Sequence, residues 1–157
     1  MKYFIVLAFF LISSLMSEDL KVKANKFSSD EKAGITIFTG NVNIIKGSDE
    51  LNSSVVTIYT DNKHQPTKFV ADGDASFSIQ TKEGSVYKGK AQKVIYYPLT
   101  KEYHFFKDVY LRQIDEKKEI IGDEVILKSI EGKAYAKGAN KEPVIMIFTI
   151  PDKEEKK

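Results

Sequence analysis

The sequence predicts an all-β protein made of short antiparallel strands. From residue 20 onward apolar residues recur at every second position, which is the period of a strand. No segment after residue 19 keeps apolar residues at helical spacing for three turns. Gly, Asn and Asp interrupt the pattern roughly every 8 to 12 residues, as hairpin turns do. These observations predict an antiparallel meander, a sandwich or a jelly roll.

The predicted strands can be followed along the chain. Residues 20–25 and 75–80 alternate strictly between apolar and polar side chains, which is typical of half-buried strands. Pro98 predicts the end of the strand before it, because proline has no N–H to donate. The other predicted strands are 34–39, 41–46, 52–60, 68–71, 85–97, 102–106, 109–114, 119–128, 133–137 and 144–150.

Three dipeptides recur at nearly constant spacing between apolar strands. Gly40-Asn41, Gly73-Asp74 and Lys107-Asp108 begin 33 and then 34 residues apart. Each predicts a turn that joins the strand before it to the strand after it. A unit of about 30 residues cannot close its own core, so the units are predicted to stack and to leave free edges at the two ends.

The N-terminus differs from the rest of the chain. Lys2 precedes an apolar run over residues 3–12, and serines separate this run from the charged residues that follow. The pattern predicts a cleaved signal peptide over residues 1–17, because a membrane-spanning helix needs roughly 20 apolar residues. An uncleaved N-terminal anchor is the alternative. One domain is predicted over 18–150, with a disordered Lys/Glu tail over 151–157 and export to a periplasm.

Charge and composition exclude several classes of function. The chain has 24 Lys plus Arg against 22 Asp plus Glu, and Arg112 is the only arginine. A nucleic-acid partner is therefore not predicted, because such proteins present a basic stripe in which arginine reads bases and phosphates. The chain has no Cys, which excludes disulfides, thiolate zinc sites and a cysteine nucleophile.

The sequence contains no catalytic or metal-binding motif. It lacks a nucleophile elbow, a zinc-protease helix, a P-loop and a dinucleotide fingerprint. His64 is predicted to lie in a surface turn, and His104 alternates with Tyr103 and Phe105 on a strand without a second ligand nearby. The protein is therefore predicted not to be an enzyme and to use no metal or cofactor.

Several strands carry more apolar residues than one buried face requires. Examples are residues 94–97 and 144–148, which are apolar at every position. One interpretation is a two-sheet core in which edge coverage accounts for the surplus. The other is that part of the inner face forms a groove for an apolar ligand. The sequence leaves both open.

Several segments, in their order and spacing, resemble the LptA/OstA-like family of periplasmic lipopolysaccharide-transport bridge proteins. They cover residues 20–24, 38–42, 89–91 with Tyr96, 109–113 and 121–123, behind a predicted signal peptide. The resemblance implies an open, twisted antiparallel β-jelly roll of two facing sheets, shaped like a V. It also implies that lipid acyl chains lie between the sheets while the sugar head stays outside.

The resemblance further implies a binding groove and two interfaces. The implied groove residues are Leu20, Val22, Ile37, Val42, Ile44, Phe77, Ile79, Val94, Tyr96, Phe105, Leu111 and Leu127. The implied edge-strand interface residues are Val22, Ala24, Phe27, Val144, Met146 and Phe148. The implied partners are lipopolysaccharide, an LptC-like inner-membrane component, the LptD-like periplasmic domain of the outer-membrane translocon, and further copies of this chain assembled head to tail.

The chain departs from the family pattern at the third repeated dipeptide, where Lys107 replaces the favoured glycine. This turn is therefore predicted to avoid a positive φ. Two alternatives to the bridge protein remain. One is the membrane-anchored LptC-like component of the same system, and the other is a structural periplasmic β-protein without a ligand.

Overall fold

The computed structural model describes residues 19–152, which form ten strands. Within this range no helix has the length and hydrophobicity needed to cross a bilayer. The strands are β1 (Leu20–Lys23), β2 (Lys26–Asp30), β3 (Ile35–Lys46), β4 (Asp49–Thr60), β5 (Pro66–Gln80), β6 (Val86–Tyr97), β7 (Glu102–Gln113), β8 (Lys118–Lys128), β9 (Lys133–Lys137) and β10 (Ile145–Phe148). The prediction of an all-β antiparallel fold is confirmed.

All ten strands belong to one antiparallel sheet. Its order is β1-β3-β4-β5-β6-β7-β8-β10, with β2 also paired to β3 and β9 also paired to β8. Each edge of the sheet is therefore made by two short strands, which pair with different parts of the same long strand. At one edge β1 pairs with residues 43–46 of β3 and β2 with residues 35–39. At the other, β9 pairs with residues 124–128 of β8 and β10 with residues 118–121.

Register shifts lie in the middle of all five pairs of neighbouring long strands and form one line of bulges across the sheet. The register shifts between Thr39 and Val42 in β3, and between corresponding positions in every pair from β3–β4 to β7–β8. The extra residue of each bulge lies on β3, β5 or β7. We call this row of bulges the fold line, because extra residues bend a strand and increase its twist.

The three repeated dipeptides lie on the fold line, so the predicted turns at these positions are wrong. Gly40-Asn41, Gly73-Asp74 and Lys107-Asp108 are interior to β3, β5 and β7, and all six residues have positive φ. Six predicted strands therefore merge into three long ones. A bulge and a hairpin turn both use left-handed residues, and only the pairing partners distinguish them.

The prediction that Lys107 would avoid a positive φ is also wrong, because its φ is 62°. A non-glycine residue in this region carries a conformational cost, which the neighbouring strands must offset. At Gly73 the requirement for glycine is stronger. Its φ is +86°, and a Cβ would lie 2.9 Å from the side chain of Ser54.

The fold line divides the sheet into two halves whose apolar faces meet. The first half-sheet contains residues 26–30, 35–39, 55–60, 66–72, 93–97, 102–106, 124–128 and 133–137. The second half-sheet contains residues 20–23, 42–46, 49–53, 75–80, 86–91, 109–113, 118–122 and 145–148. The two predicted facing sheets are thus halves of one continuous sheet.

Of the other predicted boundaries, one is confirmed, one strand was missed, and two lie at least partly outside the described residues. The strand before Pro98 ends at Tyr97, as predicted. Strand β2 was not predicted, because its sequence KFSSD has little apolar alternation and all five residues are exposed. The predicted signal peptide over 1–17 and most of the predicted tail, residues 153–157, lie outside the described residues.

Candidate functional site

The inner faces of the two half-sheets are apolar from one sheet edge to the other. In the first half-sheet, cross-strand partners Val56, Ala71, Val94, Phe105 and Val125 form one continuous inner row. In the second, Val22, Ile44, Leu51, Phe77, Gly89, Leu111, Ile120 and Met146 form another. Because cross-strand partners share a face, these rows place apolar side chains along the whole interior.

Gly89 interrupts the inner row of the second half-sheet between Phe77 and Leu111. A Cβ at this position would collide with the backbone carbonyl of Tyr110 on the neighbouring strand. The segment 89–91 contributes to the family resemblance, and this close approach supplies a physical reason for glycine there.

Side-chain contacts join the two half-sheets across the interior. The rings of Phe77 and Phe105 stack with their centroids 4.3 Å apart. The Tyr103 hydroxyl donates to Asp49 Oδ2 at 2.7 Å, and Lys46 Nζ donates to the Tyr96 hydroxyl at 3.1 Å. Both hydrogen bonds lie where the strands end, at the margins of the half-sheets that are farthest from the fold line. The interior is therefore packed in its middle and hydrogen-bonded at this margin.

An apolar cavity of about 40 Å³ lies between the half-sheets on the side of β1. Leu20, Ile44 and Leu51 line it from the second half-sheet, and Phe69, Tyr96 and Tyr103 line it from the first. Polar groups reach it only at its rim, where Lys46, Asp49 and Glu50 lie. The cavity is lined by the side-chain type that favours a hydrocarbon ligand.

Eight of the predicted groove residues are buried on the inner faces. They are Val42, Phe77, Ile79, Val94, Tyr96, Phe105, Leu111 and Leu127. Val22 and Ile44 are half-buried against them, and Leu20 is 37% exposed at the cavity. The position of these eleven residues agrees with a groove, whereas their contact with a ligand stays a prediction.

The predicted inward orientation of Ile37 is wrong. Its cross-strand partner is Thr57, whereas the next residue, Phe38, pairs with the fully buried Val56. Ile37 therefore points outward and is 37% exposed. The segment Ile35-Thr36-Ile37-Phe38 has apolar residues of both parities, so its sequence could not decide which of them faces inward.

Other inner residues were not predicted. Leu51, Val56, Phe69, Ala71 and Tyr103 line the cavity. Leu51 precedes the predicted start of its strand at residue 52, although the pattern Asp49-Glu50-Leu51-Asn52 fits a strand entering a core. Tyr103 could have been found by its alternation with Phe105.

The predicted interface residues lie at the two edges of the sheet. Val22, Ala24 and Val144 are half-buried against the core. Phe27 is 71% exposed and stacks on Phe38 at 6.0 Å, while Met146 and Phe148 are about half exposed on β10. Within residues 19–152, β1 and β2 pair only with β3, and β9 and β10 only with β8. The outer backbone edges of these four strands have no strand partner in the described chain.

Over residues 19–152 the titratable groups with shifted pKa values are tyrosines and one aspartate, each shifted by its own local contacts. Burial raises the pKa of Tyr87, and the hydrogen bond to Glu119 raises that of Tyr110. The Val86 N–H lowers the pKa of Asp115. Among the described residues no group of three or more His, Asp or Glu lies close enough together to hold a metal ion.

Comparisons with known proteins agree with this geometry. A family model described as LptA/(LptD N-terminal domain) LPS transport protein matches residues 21–133. The crystal structure of LptH from Pseudomonas aeruginosa, the LptA homologous periplasmic component of the conserved lipopolysaccharide transport device, is similar with a TM-score of 0.75. This similarity covers 85% of this chain and 96% of LptH at 17% sequence identity, and it shows a shared fold. No curated protein sequence matches the chain. Because the family model covers most of the sequence, this chain belongs to the family of LptA/(LptD N-terminal domain) LPS transport proteins.

Proposed function

We propose that this chain is a periplasmic carrier that holds the acyl chains of lipopolysaccharide between its two half-sheets. The observation that carries the proposal is the continuous apolar inner face, which runs from β1 to β10. Exposing one acyl chain of a dozen methylenes to water costs roughly 10 kcal/mol at about 0.8 kcal/mol per CH₂. A carrier must therefore offer apolar cover along its whole length.

Binding requires the half-sheets to separate. The cavity of about 40 Å³ accommodates only a small part of an acyl chain. The contacts to be replaced are the Phe77–Phe105 stack and the hydrogen bonds of Tyr103 and Lys46 at the margin. The fold line joins the halves on the opposite side and acts as the hinge. Acyl chains then replace the apolar ring contact with an equally apolar one, whereas the polar groups at the margin exchange their hydrogen bonds for water or for the head of the lipid.

The test of this proposal is photocrosslinking to lipopolysaccharide. A photoreactive phenylalanine analogue is placed at Phe77 on the inner face and, as the matched control, at Ser78 on the outer face of the same strand. A second pair, Leu51 at the cavity and its outward neighbour Asn52, guards against a local packing defect. Adducts at Phe77 and Leu51 only are expected. Adducts at neither inner site, or equally at inner and outer sites, would overturn the proposal.

One observation favours a second candidate, a structural β-protein without a ligand. Phe105, Leu111 and Leu127 are fully buried in the present conformation, and the interior is packed in its middle. A closed core of this kind needs no ligand for its stability. The same crosslinking experiment decides between the two functions, because a permanently closed core gives no adduct at Phe77.

We further propose that copies assemble head to tail through their edge strands. The free backbone edge of β1 and β2 in one copy would pair with that of β9 and β10 in the next, which continues the sheet and the apolar interior. At the ends of the bridge, an LptC-like component would occupy the first edge and an LptD-like domain the second. The half-exposed Met146 and Phe148 lie on the inner face of β10, where the next copy would cover them.

Light scattering at increasing protein concentration tests this assembly. Met146→Pro removes a backbone donor from β10, and Thr100→Pro places the same residue in an exposed turn as the control. We expect elongated oligomers of the unmodified protein and of the control, and a monomer for Met146→Pro. Unchanged oligomers of Met146→Pro would exclude β10 as the joint.

The proposed location in the periplasm depends on removal of residues 1–17. Mass spectrometry of the exported protein checks this directly. A mature N-terminus near Glu18 agrees with the soluble bridge, whereas an intact Met1 in the inner membrane identifies the anchored LptC-like component.

A further inference from the structure

A polar cleft of about 410 Å³ opens beside the apolar cavity, at the margin farthest from the fold line. Both half-sheets contribute to it, with Lys46, Ser48 and Lys82 from the second and Lys101 from the first. Lys46, Asp49 and Tyr96 line both the cleft and the cavity. The cavity and the cleft are thus contiguous. The cavity is apolar, whereas the cleft is polar and basic.

The charge of the cleft is positive. Three lysines line it, namely Lys46, Lys82 and Lys101, against one acidic residue, Asp49. Both carboxylate oxygens of Asp49 already accept hydrogen bonds, Oδ1 from the Gln80 N–H at 2.8 Å and Oδ2 from the Tyr103 hydroxyl. The Asp49 carboxylate therefore has a structural role, and its negative charge is stabilised by these two donors. Lys82 and Lys101 outnumber this one acidic residue, so the lining of the cleft is basic.

The backbone that carries the lysines is fixed by one nearly buried residue, Ser129. Its hydroxyl donates to the Lys101 carbonyl at 2.6 Å, and its own carbonyl accepts from the Lys82 N–H at 2.9 Å. Ser129 thereby ties the β5–β6 turn of one half-sheet to the β6–β7 turn of the other. In this closed conformation Lys46 donates to the Tyr96 hydroxyl, and separation of the half-sheets releases its ammonium group toward the cleft.

We propose that this cleft binds the phosphate groups of the amphiphile whose acyl chains enter the cavity. The inference rests on the proposed lipid-carrier function and names the part of the ligand that the outer margin recognises. A phosphate monoester offers several acceptor oxygens and about two negative charges, which matches the ammonium groups of Lys82 and Lys101 on two turns beside Lys46 at the end of β3.

The position of the cleft also orients the ligand. Acyl chains in the cavity and phosphates among Lys46, Lys82 and Lys101 place the sugars outside the margin. A lipid held in this way cannot reverse without moving its charge into the apolar interior, which is strongly unfavourable. The cleft therefore gives the carrier a fixed orientation for its cargo, which apolar burial alone does not provide.

The test compares the binding of bisphosphorylated lipid A with that of the same lipid stripped of both phosphates, by titration calorimetry at low salt. We expect phosphate removal to weaken binding by about tenfold or more, the effect of one to two charge-assisted hydrogen bonds. Lys82→Gln combined with Lys101→Gln should abolish this preference. Lys32→Gln combined with Lys63→Gln, two exposed turn lysines that do not line the cleft, removes the same charge and should retain the preference.

Each remaining outcome is decisive. Equal affinity for the two lipids, or a preference that survives in the Lys82/Lys101 variant, would refute phosphate binding by the cleft. The proposed lipid-carrier function would still stand. Glucosamine 1-phosphate, which has no acyl chain, distinguishes a lipid headgroup from a free phosphate. If it binds as tightly as lipid A, the cleft is a site for soluble phosphates and the link to lipid is wrong. Failure of both lipids to bind overturns the carrier function and this inference together.

Discussion

The outer face of the first half-sheet is largely apolar, whereas that of the second is largely polar. The central outer row of the first is Ile37, Thr57, Val70, Ile95, His104, Ile126 and Tyr135. The corresponding row of the second is Lys21, Ile45, Glu50, Ser78, Lys88, Arg112, Glu119 and Ile147. The inner faces of the two halves are alike, so the difference lies entirely outside the core.

This difference explains the surplus of apolar residues in the runs that belong to the first half-sheet. The consecutive apolar residues 94–97 belong to the first half-sheet and point alternately inward and outward, as a strand requires. The strictly alternating residues 75–80 belong to the second. The run 94–97 therefore has two apolar faces, and half of its side chains lie outside the groove that the surplus suggested. The run 144–148 instead leads into β10 at the edge of the second half-sheet.

The largest expected difference in unfolding free energy is between truncation of an inner and of an outer side chain of the first half-sheet. Phe105 is fully buried and stacks on Phe77, whereas its neighbour Phe106 points outward and is half-buried. Phe105→Ala should lower the free energy of unfolding by about 3–5 kcal/mol, because it leaves a cavity between the half-sheets. Phe106→Ala should cost about 1–2 kcal/mol. Urea unfolding measures both, and equal losses would mean that the outer face contributes as much as the core.

The next effect compares two tyrosine–carboxylate hydrogen bonds. Tyr103 donates to Asp49 across the half-sheets, whereas Tyr110 donates to Glu119 within the outer face of the second. Tyr103→Phe should cost about 1.5–3 kcal/mol, because Tyr103 is buried and donates to a charged acceptor, whereas Tyr110 is only half-buried. Tyr110→Phe should have a clearly smaller effect. Thermal unfolding distinguishes them, and a larger loss for Tyr110→Phe would show that the margin is not a point of closure.

A smaller effect is expected on the fold line between the half-sheets. Lys107→Gly relieves a positive φ on a lysine and should stabilise the protein by about 0.5–1 kcal/mol. The reciprocal change, Gly73→Lys, should destabilise it, because a Cβ at Gly73 would crowd Ser54. Chemical denaturation of both variants tests the pair. Stabilisation by Gly73→Lys would contradict the conformational cost assigned to the fold line.

The smallest expected effect is a pH dependence of stability that arises from Asp115, next to the second half-sheet. The hydrogen bond from the Val86 N–H holds the pKa of Asp115 below its ordinary value of 3.8. A depressed folded-state pKa contributes stability above the unfolded pKa, and this stability is lost as the pH falls through the folded pKa. The midpoint difference between the unmodified protein and Asp115→Asn should therefore shrink from about pH 5 to about pH 3. A difference that grows on acidification would reverse the sign and refute the assignment.

The sequence by itself determined the fold class and most of the inner face. Strand alternation is local, so Phe77, Ile79 and Leu111 could be placed inward before any pairing was known. Alternation did not determine the orientation where odd- and even-numbered residues are both apolar, as at Ile37 and Phe38. Either register then buries a large side chain.

Only the tertiary structure decided the topology and the surroundings of the site. Gly73-Asp74 has the left-handed geometry that serves equally in a turn or a bulge, and the choice depends on strands far away in the sequence. The lysines of the cleft lie at the end of β3 and on two separate turns, and no local pattern relates Lys46, Lys82 and Lys101. Local alternation thus specifies which way a side chain points, whereas long-range pairing specifies what it meets.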